Sequence, residues 1–152
     1  MTKQRGFSLI ELLIVVAIIL IIAAIAIPNL IKSKMAANEA SAVGSLRTIN
    51  TAELTYSSTY GTGFTDLPTL SSSGIVDNVL GSGTKSGYTL TATPVASSGG
   101  GTSVNPYLAY QSFGNPISVN TGTRHFCSDE SGVIRWDTAT CTPGPAGSTA
   151  LQ

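Results

Sequence analysis

The chain has 152 residues, of which 42% are hydrophobic and 11% are charged, and its eight Lys and Arg balance its eight Asp and Glu. This balance excludes a nucleic-acid binder of the usual kind, because binding to the phosphate backbone requires a basic surface. One histidine and two cysteines also argue against a transition-metal site with several protein ligands.

The N-terminal part of the chain is apolar. Residues 12–27, LLIVVAIILIIAAIAI, form an unbroken apolar run, and the wider run 7–31 is long enough for a membrane anchor, which needs about 20 apolar residues. A secretory signal peptide has a shorter apolar stretch of about 7–15 residues, and Pro28 begins a poor cleavage site. A buried core helix is a third alternative, but the remaining chain is too small to enclose it. The basic residues Lys3 and Arg5 favour a cytoplasmic N-terminus, although Lys32 and Lys34 weaken the asymmetry.

One acidic residue interrupts the wider apolar run, since Glu11 lies between Ile10 and Leu12. An ionised carboxylate at the centre of a membrane helix costs roughly 2.5–3.5 kcal/mol on insertion scales. Two interpretations remain open from the residues alone. Either Glu11 lies at the membrane interface in the first turn of a helix, where the helix dipole favours it, or it pairs with a cation of another subunit.

The sequence KQRGFSLIE at 3–11 resembles the N-terminal motif of the type IV prepilin family. That motif has a short basic leader ending in Gly, then Phe, then an apolar helix with Glu at the fifth position of the processed chain. Counted from Phe7, Glu11 is the fifth residue and Pro28 the twenty-second, both as in the family. The pseudopilins of type II secretion share the motif, so it does not separate the two groups.

The resemblance implies that prepilin peptidase cleaves between Gly6 and Phe7 and then N-methylates Phe7. It implies a homo-oligomeric helical filament, and we expect the Glu11 carboxylate of one subunit to pair with the amine of Phe7 of another and set the axial register. The other implied partners are an inner-membrane platform protein, assembly and retraction ATPases, and a secretin in a Gram-negative cell. The subunit would be held in the inner membrane and then enter an extracellular filament for adhesion, twitching motility or DNA uptake, with no cofactor.

After the apolar run the pattern becomes amphipathic. We predict one helix from about Ser8 to about Ser57, weakened at Gly44 and at Pro28, where the ring removes a backbone hydrogen bond. The resemblance implies that the region of Pro28 bends or melts locally when helices pack. Apolar residues recur at steps of three, four or seven, which predicts a face that packs on a globular head: Ile31, Met35, Ala42, Leu46, Ile49, Tyr56 and Tyr60. The residues expected on the polar faces are Lys32, Lys34, Glu39, Arg47 and Glu53.

The C-terminal part has the pattern of short strands and turns. Alternation over 87–94 predicts a strand that ends at Pro94, and 107–113 is a second candidate. The segments 124–127 and 133–136 predict a hairpin. We expect a surface loop over 61–80 with a short helical turn near its end, and a mobile tail from 143 onwards.

These elements predict an α+β fold, in which the C-terminal half of a long N-terminal helix packs on a small antiparallel sheet of three to four strands, the pilin fold. The expected regions are a leader peptide at 1–6, a hydrophobic transmembrane and filament-core helix at 7–28, an amphipathic helix half at 29–58 and a globular β head with a disulfide loop at 59–152.

Cys127 and Cys141 are the only cysteines. An even count in a head outside the cytoplasm predicts one disulfide, with two unpaired buried thiols as the alternative. The position resembles that of the disulfide-bounded loop near the C-terminus of many pilins.

Two acidic residues, Asp129 and Glu130, lie in a turn that contains glycine. Acidic loops of major pseudopilins bind calcium, so this pair is a candidate calcium site, with a solvated turn as the alternative. His125 is expected to be an ordinary strand residue, because the sequence shows no set of nucleophile, base and orienting group.

The sequence therefore favours a structural subunit of a type IV pilus, not an enzyme. The alternatives are a pseudopilin of a type II secretion system and a single-pass membrane-anchored binding domain. A cell-envelope enzyme is the weakest of the alternatives.

Overall fold

The computed structural model describes residues 6–95, 102, 106–144 and 147–151. Two compact units follow one another in the chain, with the division between Lys34 and Met35. Helix α1 (Leu9–Tyr60) is 52 residues long and contributes to both units. The prediction was a helix from about Ser8 to about Ser57, so the observed helix begins one residue later and ends three residues later. Gly44 lies within it. The predicted leader lies outside the described residues except for Gly6.

The first unit exposes its apolar side chains. No residue from 6 to 34 is buried, and the exposed fraction of large side chains such as Leu20 and Ile25 exceeds 60%. Among the described residues, α1 is the one helix that is long and apolar enough to cross a membrane, judged by length and composition. This part of α1 therefore needs an apolar environment that the first unit does not supply.

In the second unit α1 buries one face. The predicted apolar face is confirmed at Ala42, Leu46 and Ile49, which belong to the hydrophobic core. The expectation for Glu39 and Glu53 was wrong, because both are buried instead of lying on a polar face. Each carboxylate accepts hydrogen bonds from backbone N–H groups far along the chain, which makes its burial possible.

Two short helices follow α1. In α2 (Leu67–Ser72) and α3 (Asn78–Gly81), the preceding residues Asp66 and Asp77 cap the first turn by accepting a backbone N–H. The helical turn expected near the end of 61–80 corresponds to α3, whereas α2 was not predicted. Leu70 is fully buried and attaches α2 to the core.

The sheet has six described strands, joined antiparallel in chain order. The α+β fold class is confirmed. The sheet has more strands than the three or four expected, because it includes two outer strands of only two residues each, which are too short to predict from the sequence. The tail expected to be mobile from 143 onwards contributes the last of them. The strands are β1 (Thr84–Lys85), β2 (Tyr88–Val95), β3 (Ala109–Pro116), β4 (His125–Asp129), β5 (Arg135–Asp137) and β6 (Thr149–Ala150).

The longest pairing is between β2 and β3, which match over eight residues from Tyr88 opposite Pro116 to Val95 opposite Ala109. Side chains of β2 alternate between buried and exposed, as the sequence predicted for a half-buried strand. The buried members, Tyr88, Leu90 and Ala92, belong to the same core as Leu46 of α1. Burial of α1 against this face of the sheet stabilises the second unit.

A disulfide joins Cys127 to Cys141, with 5.6 Å between their Cα atoms. Cys127 is on β4, opposite Arg135 of β5, and both sulfur-bearing residues are buried. The disulfide predicted from the cysteine count is thus present. It closes a loop that contains the β4–β5 hairpin.

Candidate functional site

The segment that precedes α1 carries the residues that the sequence singled out for processing. Gly6 and Phe7 have no regular structure, and the side chain of Phe7 is 77% exposed. A Cβ atom built on Gly6 would meet no other atom within 4 Å. The bond between them is accessible in the first unit, but its cleavage stays a prediction.

Glu11 closes the first turn of α1. Its Oε2 atom accepts the backbone N–H of Ser8 at 2.9 Å, and the Ser8 carbonyl accepts the N–H of Leu12 at 3.3 Å. Ser8 is the residue before the helix and Glu11 the third residue within it, so this bond is one half of a capping box. The sequence contained the signal for it, Ser followed three residues later by Glu, which the prediction did not use.

Pro28 lies inside α1 and is exposed. Because proline has no N–H, the carbonyl of Ala24 lacks its usual helical donor at this position. One turn later, the hydroxyl of Ser33 donates to the Asn29 carbonyl at 2.9 Å. The helix is continuous through this region, and the role of Pro28 in assembly stays a prediction.

In the second unit, Glu39 anchors α1 to the segment that precedes β4. Its Oε1 atom accepts the backbone N–H of Thr123 at 3.0 Å and the hydroxyl of the same residue at 3.2 Å. Its Oε2 atom lies 2.7 Å from both Nε and Nη2 of Arg124. Burial alone would raise the pKa of Glu39, but these hydrogen bonds and the guanidinium charge together hold it below its usual value.

The guanidinium group of Arg124 also packs on aromatic rings. Its Cζ atom lies 5.8 Å from the ring centre of Phe126 and 5.4 Å from that of Trp136. Phe126 is fully buried and pairs with Trp136 across β4 and β5. The ion pair with Glu39 therefore connects α1 to the hairpin that the disulfide encloses.

A second polar connection lies deeper in the core. The hydroxyl of Tyr110 donates to Oδ1 of Asn50 at 2.9 Å, and Nδ2 of Asn50 donates to Oγ of Ser128 at 2.9 Å. The Ser128 hydroxyl then donates to the carbonyl of Val133 at 3.1 Å. Burial raises the pKa of Tyr110 above its usual value, so this phenol stays protonated and remains a donor. The chain of bonds fixes α1 to β3 and to the turn of the hairpin.

Comparison with known proteins identifies the N-terminal segment. Residues 1–27 match the family model of the prokaryotic N-terminal methylation motif. The chain is 50% identical over 54 residues to the type IV major pilin protein PilA of Myxococcus xanthus, an alignment that covers 36% of this chain and 24% of the relative. It is 56% identical over 39 residues to the type IV wide pilus major component PilA4 of Thermus thermophilus, which covers 26% of this chain and 30% of the relative.

Over about a quarter to a third of its length, the chain is similar to these two type IV pilus proteins. It spans less than a third of the length of each of these two curated relatives. No solved structure matches it. Both relatives are structural pilus proteins, which agrees with the prediction that the chain is not an enzyme.

The candidate calcium residues of this chain, among the residues that the structure describes, do not share a cluster of ligands. Oδ1 of the buried Asp129 accepts the N–H of Ser131 at 3.0 Å and also the hydroxyl of that residue, whereas Glu130 is exposed. Within the described ranges, no group of three or more His, Cys, Asp or Glu lies where it could hold one metal ion. The geometry shows a turn stabilised by its own aspartate.

His125 is the first residue of β4. Its Nδ1 atom lies 2.9 Å from Oδ1 of Asn115 on β3, and its main chain pairs with Asp137 of β5. These are contacts of a strand residue near the surface.

Proposed function

We propose that this chain is the structural subunit of a type IV pilus, held in the inner membrane and assembled into an extracellular filament. The observation that carries the proposal is the exposed apolar half of α1, most of which lies within the matched methylation motif at 1–27. The likeness to two pilus components supports it. Adhesion, motility or DNA uptake would follow from the filament.

The physical reason for assembly lies in the surface of residues 9–27. Outside a bilayer this surface is covered only by other apolar surfaces, and each buried Leu or Ile side chain contributes about 1.5–3 kcal/mol relative to exposure in water. Ala23, Ala24 and Ala26 make one stretch of the helix narrow, which suits close approach of a second helix. Identical helices packed together would cover this apolar surface and approach each other closely at the narrow stretch.

Processing would create the partner for Glu11. Cleavage between Gly6 and Phe7 produces an amine at Phe7, which prepilin peptidase then methylates. In the isolated chain the Glu11 carboxylate accepts the N–H of Ser8. A carboxylate has further acceptor positions, so Glu11 can keep this bond while it pairs with the amine of a neighbouring subunit. In an apolar surrounding such a pair is stronger than in water.

Assembly requires external machinery, because the apolar helix must leave the bilayer. The resemblance to pilins implies that this machinery is an inner-membrane platform protein and an assembly ATPase, with a second ATPase for retraction. A secretin would let the filament cross the outer membrane of a Gram-negative cell. Each of these partners is part of the proposal.

The first experiment examines processing and filaments in cells that express the chain. We expect mass spectrometry of the mature protein to find N-methylated Phe7 at its N-terminus, and electron microscopy of sheared material to find long filaments that contain the chain. An intact Met1 would contradict processing. Short periplasmic fibres instead of surface filaments would identify a pseudopilin, and unassembled monomers in the membrane would identify an anchored binding domain.

The second experiment tests the role of Glu11. Replacement Glu11→Ala is expected to reduce filament yield more than about tenfold, because the amine of Phe7 would then be left unpaired in an apolar surrounding. The matched control is Glu130→Ala, which removes an exposed carboxylate of the second unit and is expected to leave the yield unchanged. Normal filaments from Glu11→Ala would contradict the assigned pairing.

A further inference from the structure

The carboxyl group of Glu53 lies in the core, and no cation among the described residues pairs with it. The residue is on α1 and its exposed fraction is 0%. Its Oε2 atom accepts the backbone N–H of Thr65 at 3.0 Å, while Oε1 has no hydrogen-bond partner among the described residues. The other buried glutamate of α1, Glu39, has an ion pair with Arg124. The two glutamates therefore have opposite electrostatic surroundings.

In the part of the chain that the structure describes, the groups that interact with Glu53 are acidic or neutral. Asp66, which caps α2, carries a negative charge that disfavours a second one, and Tyr110 of β3 is a protonated phenol. Asp129 and Glu130, at the end of β4, act on the same Tyr110. The largest influence on the carboxyl group of Glu53 is its burial, which raises the pKa of Glu53 to about 7. The N–H of Thr65 opposes this rise only in part.

The bond from Thr65 to Glu53 connects α1 to the segment that leaves it, 61–66. The same segment has other attachments, because the N–H of Phe64 donates to the Tyr107 carbonyl at 3.0 Å and the Phe64 ring lies 4.7 Å from that of Tyr110. The N–H of Tyr107 donates in turn to the Thr62 carbonyl at 3.1 Å. The hydrogen bonds to Tyr107 lie outside the strands of the sheet, so loss of the Glu53 contact is expected to loosen this segment without unfolding the sheet.

We propose that Glu53 is a proton-controlled latch that holds the segment 61–66 on α1 in its protonated form and loosens it when the carboxyl group ionises. A buried carboxylate without a cation is unfavourable, so ionisation favours states in which water reaches the group. Such states arise by local opening rather than by global unfolding.

The direction of the pH effect follows from linkage. When the segment is open, the pKa of Glu53 has its ordinary value of 4.5, and when the segment is closed, burial raises the pKa to about 7. The closed state then binds more protons between these values, so its stability falls as the pH rises from 4.5 to about 7 and is constant above. Between about pH 5.5 and about pH 8 the opening equilibrium is expected to increase about 30-fold.

The test is hydrogen exchange of the full chain in detergent, measured at these two pH values and corrected for the intrinsic exchange rate. The amides of 61–66 are expected to lose protection at the higher pH, whereas amides of the central strands β2 and β3 keep theirs. In Glu53→Gln, a neutral side chain of the same shape, the protection of 61–66 is expected to be independent of pH. The control Glu130→Gln changes an exposed carboxylate and is expected to retain the wild-type dependence.

A second measurement does not depend on the folding of any variant. The carboxyl carbon of Glu53 in the wild-type chain, followed by NMR, is expected to titrate near neutral pH. Titration of Glu53 with a pKa near the ordinary 4.5 would overturn the proposal, and so would a pH dependence of 61–66 that persists in Glu53→Gln.

Discussion

Arg124 holds Glu39 with two nitrogen atoms, since Nε and Nη2 both lie 2.7 Å from the same carboxylate oxygen. The other oxygen accepts from Thr123 and from the backbone of Arg124 itself, at 3.3 Å. One carboxylate on α1 thus satisfies several donors in the segment that leads into β4. Two residues 85 positions apart in the chain, one on α1 and one just before β4, are joined at this point.

The neutral variant Glu39→Gln is expected to destabilise the second unit by about 1–3 kcal/mol, because the amide leaves the guanidinium group of Arg124 without its counter-charge. The measurement is urea unfolding of the full chain in detergent, followed by the fluorescence of Trp136, the only tryptophan. Glu130→Gln serves as the control, since it neutralises an exposed carboxylate and should change the free energy of unfolding by less than about 0.5 kcal/mol. An equal effect of the two variants would refute the structural importance of the pair.

The two buried glutamates are expected to affect stability at different pH: Glu39 reduces it in acid, and Glu53 reduces it towards neutral pH. The pKa of Glu39 is below its ordinary value of 4.5, so its contribution is present above that value and is lost as the pH falls through the lowered pKa. The pKa of Glu53 is about 7, so its contribution is present below 4.5 and is lost as the pH rises towards 7. The unfolding midpoint should therefore be highest in mildly acidic solution.

This pH profile is measured as urea midpoints of the wild type and the two Gln variants. Glu53→Gln is expected to remove the decline towards neutral pH, and Glu39→Gln is expected to reduce the decline in acid. A wild-type midpoint that rises steadily from pH 5 to pH 8 would contradict the surroundings assigned to Glu53.

Replacement of both Cys127 and Cys141 by serine is expected to lower the free energy of unfolding by about 3 kcal/mol, the value of the chain-entropy model for a loop of about 15 residues. The loop contains the β4–β5 hairpin, so amides of β5 should lose more hydrogen-exchange protection than amides of β2. Reduction of the wild-type chain with dithiothreitol should reproduce the loss. An unchanged unfolding midpoint in both experiments would mean that the bridge contributes nothing to stability.

Alanine is expected to be tolerated much less at Gly63 than at Gly61, although both residues have positive φ, 83° and 68°. At Gly61 the new methyl group would meet no atom within 4 Å, so only the backbone strain of about 1–2 kcal/mol remains. At Gly63 it would collide with the backbone of Tyr107, to which Gly63 is bridged. Comparison of the two unfolding midpoints isolates the collision, and equal midpoints would show that the backbones lie farther apart.

The sequence predicted those elements whose signals are local. Hydropathy located the exposed part of α1, alternation located β2, and the cysteine count predicted the disulfide. These signals work because exposure of an apolar run and the two-residue period of a strand are properties of consecutive residues.

Burial of Glu39 and Glu53 was not predictable in this way. Their partners, Thr123 and Arg124 for the first and Thr65 for the second, come into contact only through the fold. Charge alone places a glutamate at the surface, so the prediction failed for both residues. The strand β6 was missed for a related reason, since a two-residue strand has no period and depends on pairing with β5.

The strictly sequential order of the sheet has a kinetic consequence. Every described strand after β1 pairs with the strand just before it in the chain, so each pairing step closes a loop between chain neighbours. Topologies dominated by contacts between nearby residues fold faster than those that require distant segments to meet. The β-sheet can thus grow hairpin by hairpin in chain order, and Cys141 is available to Cys127 only after β5 has been synthesised.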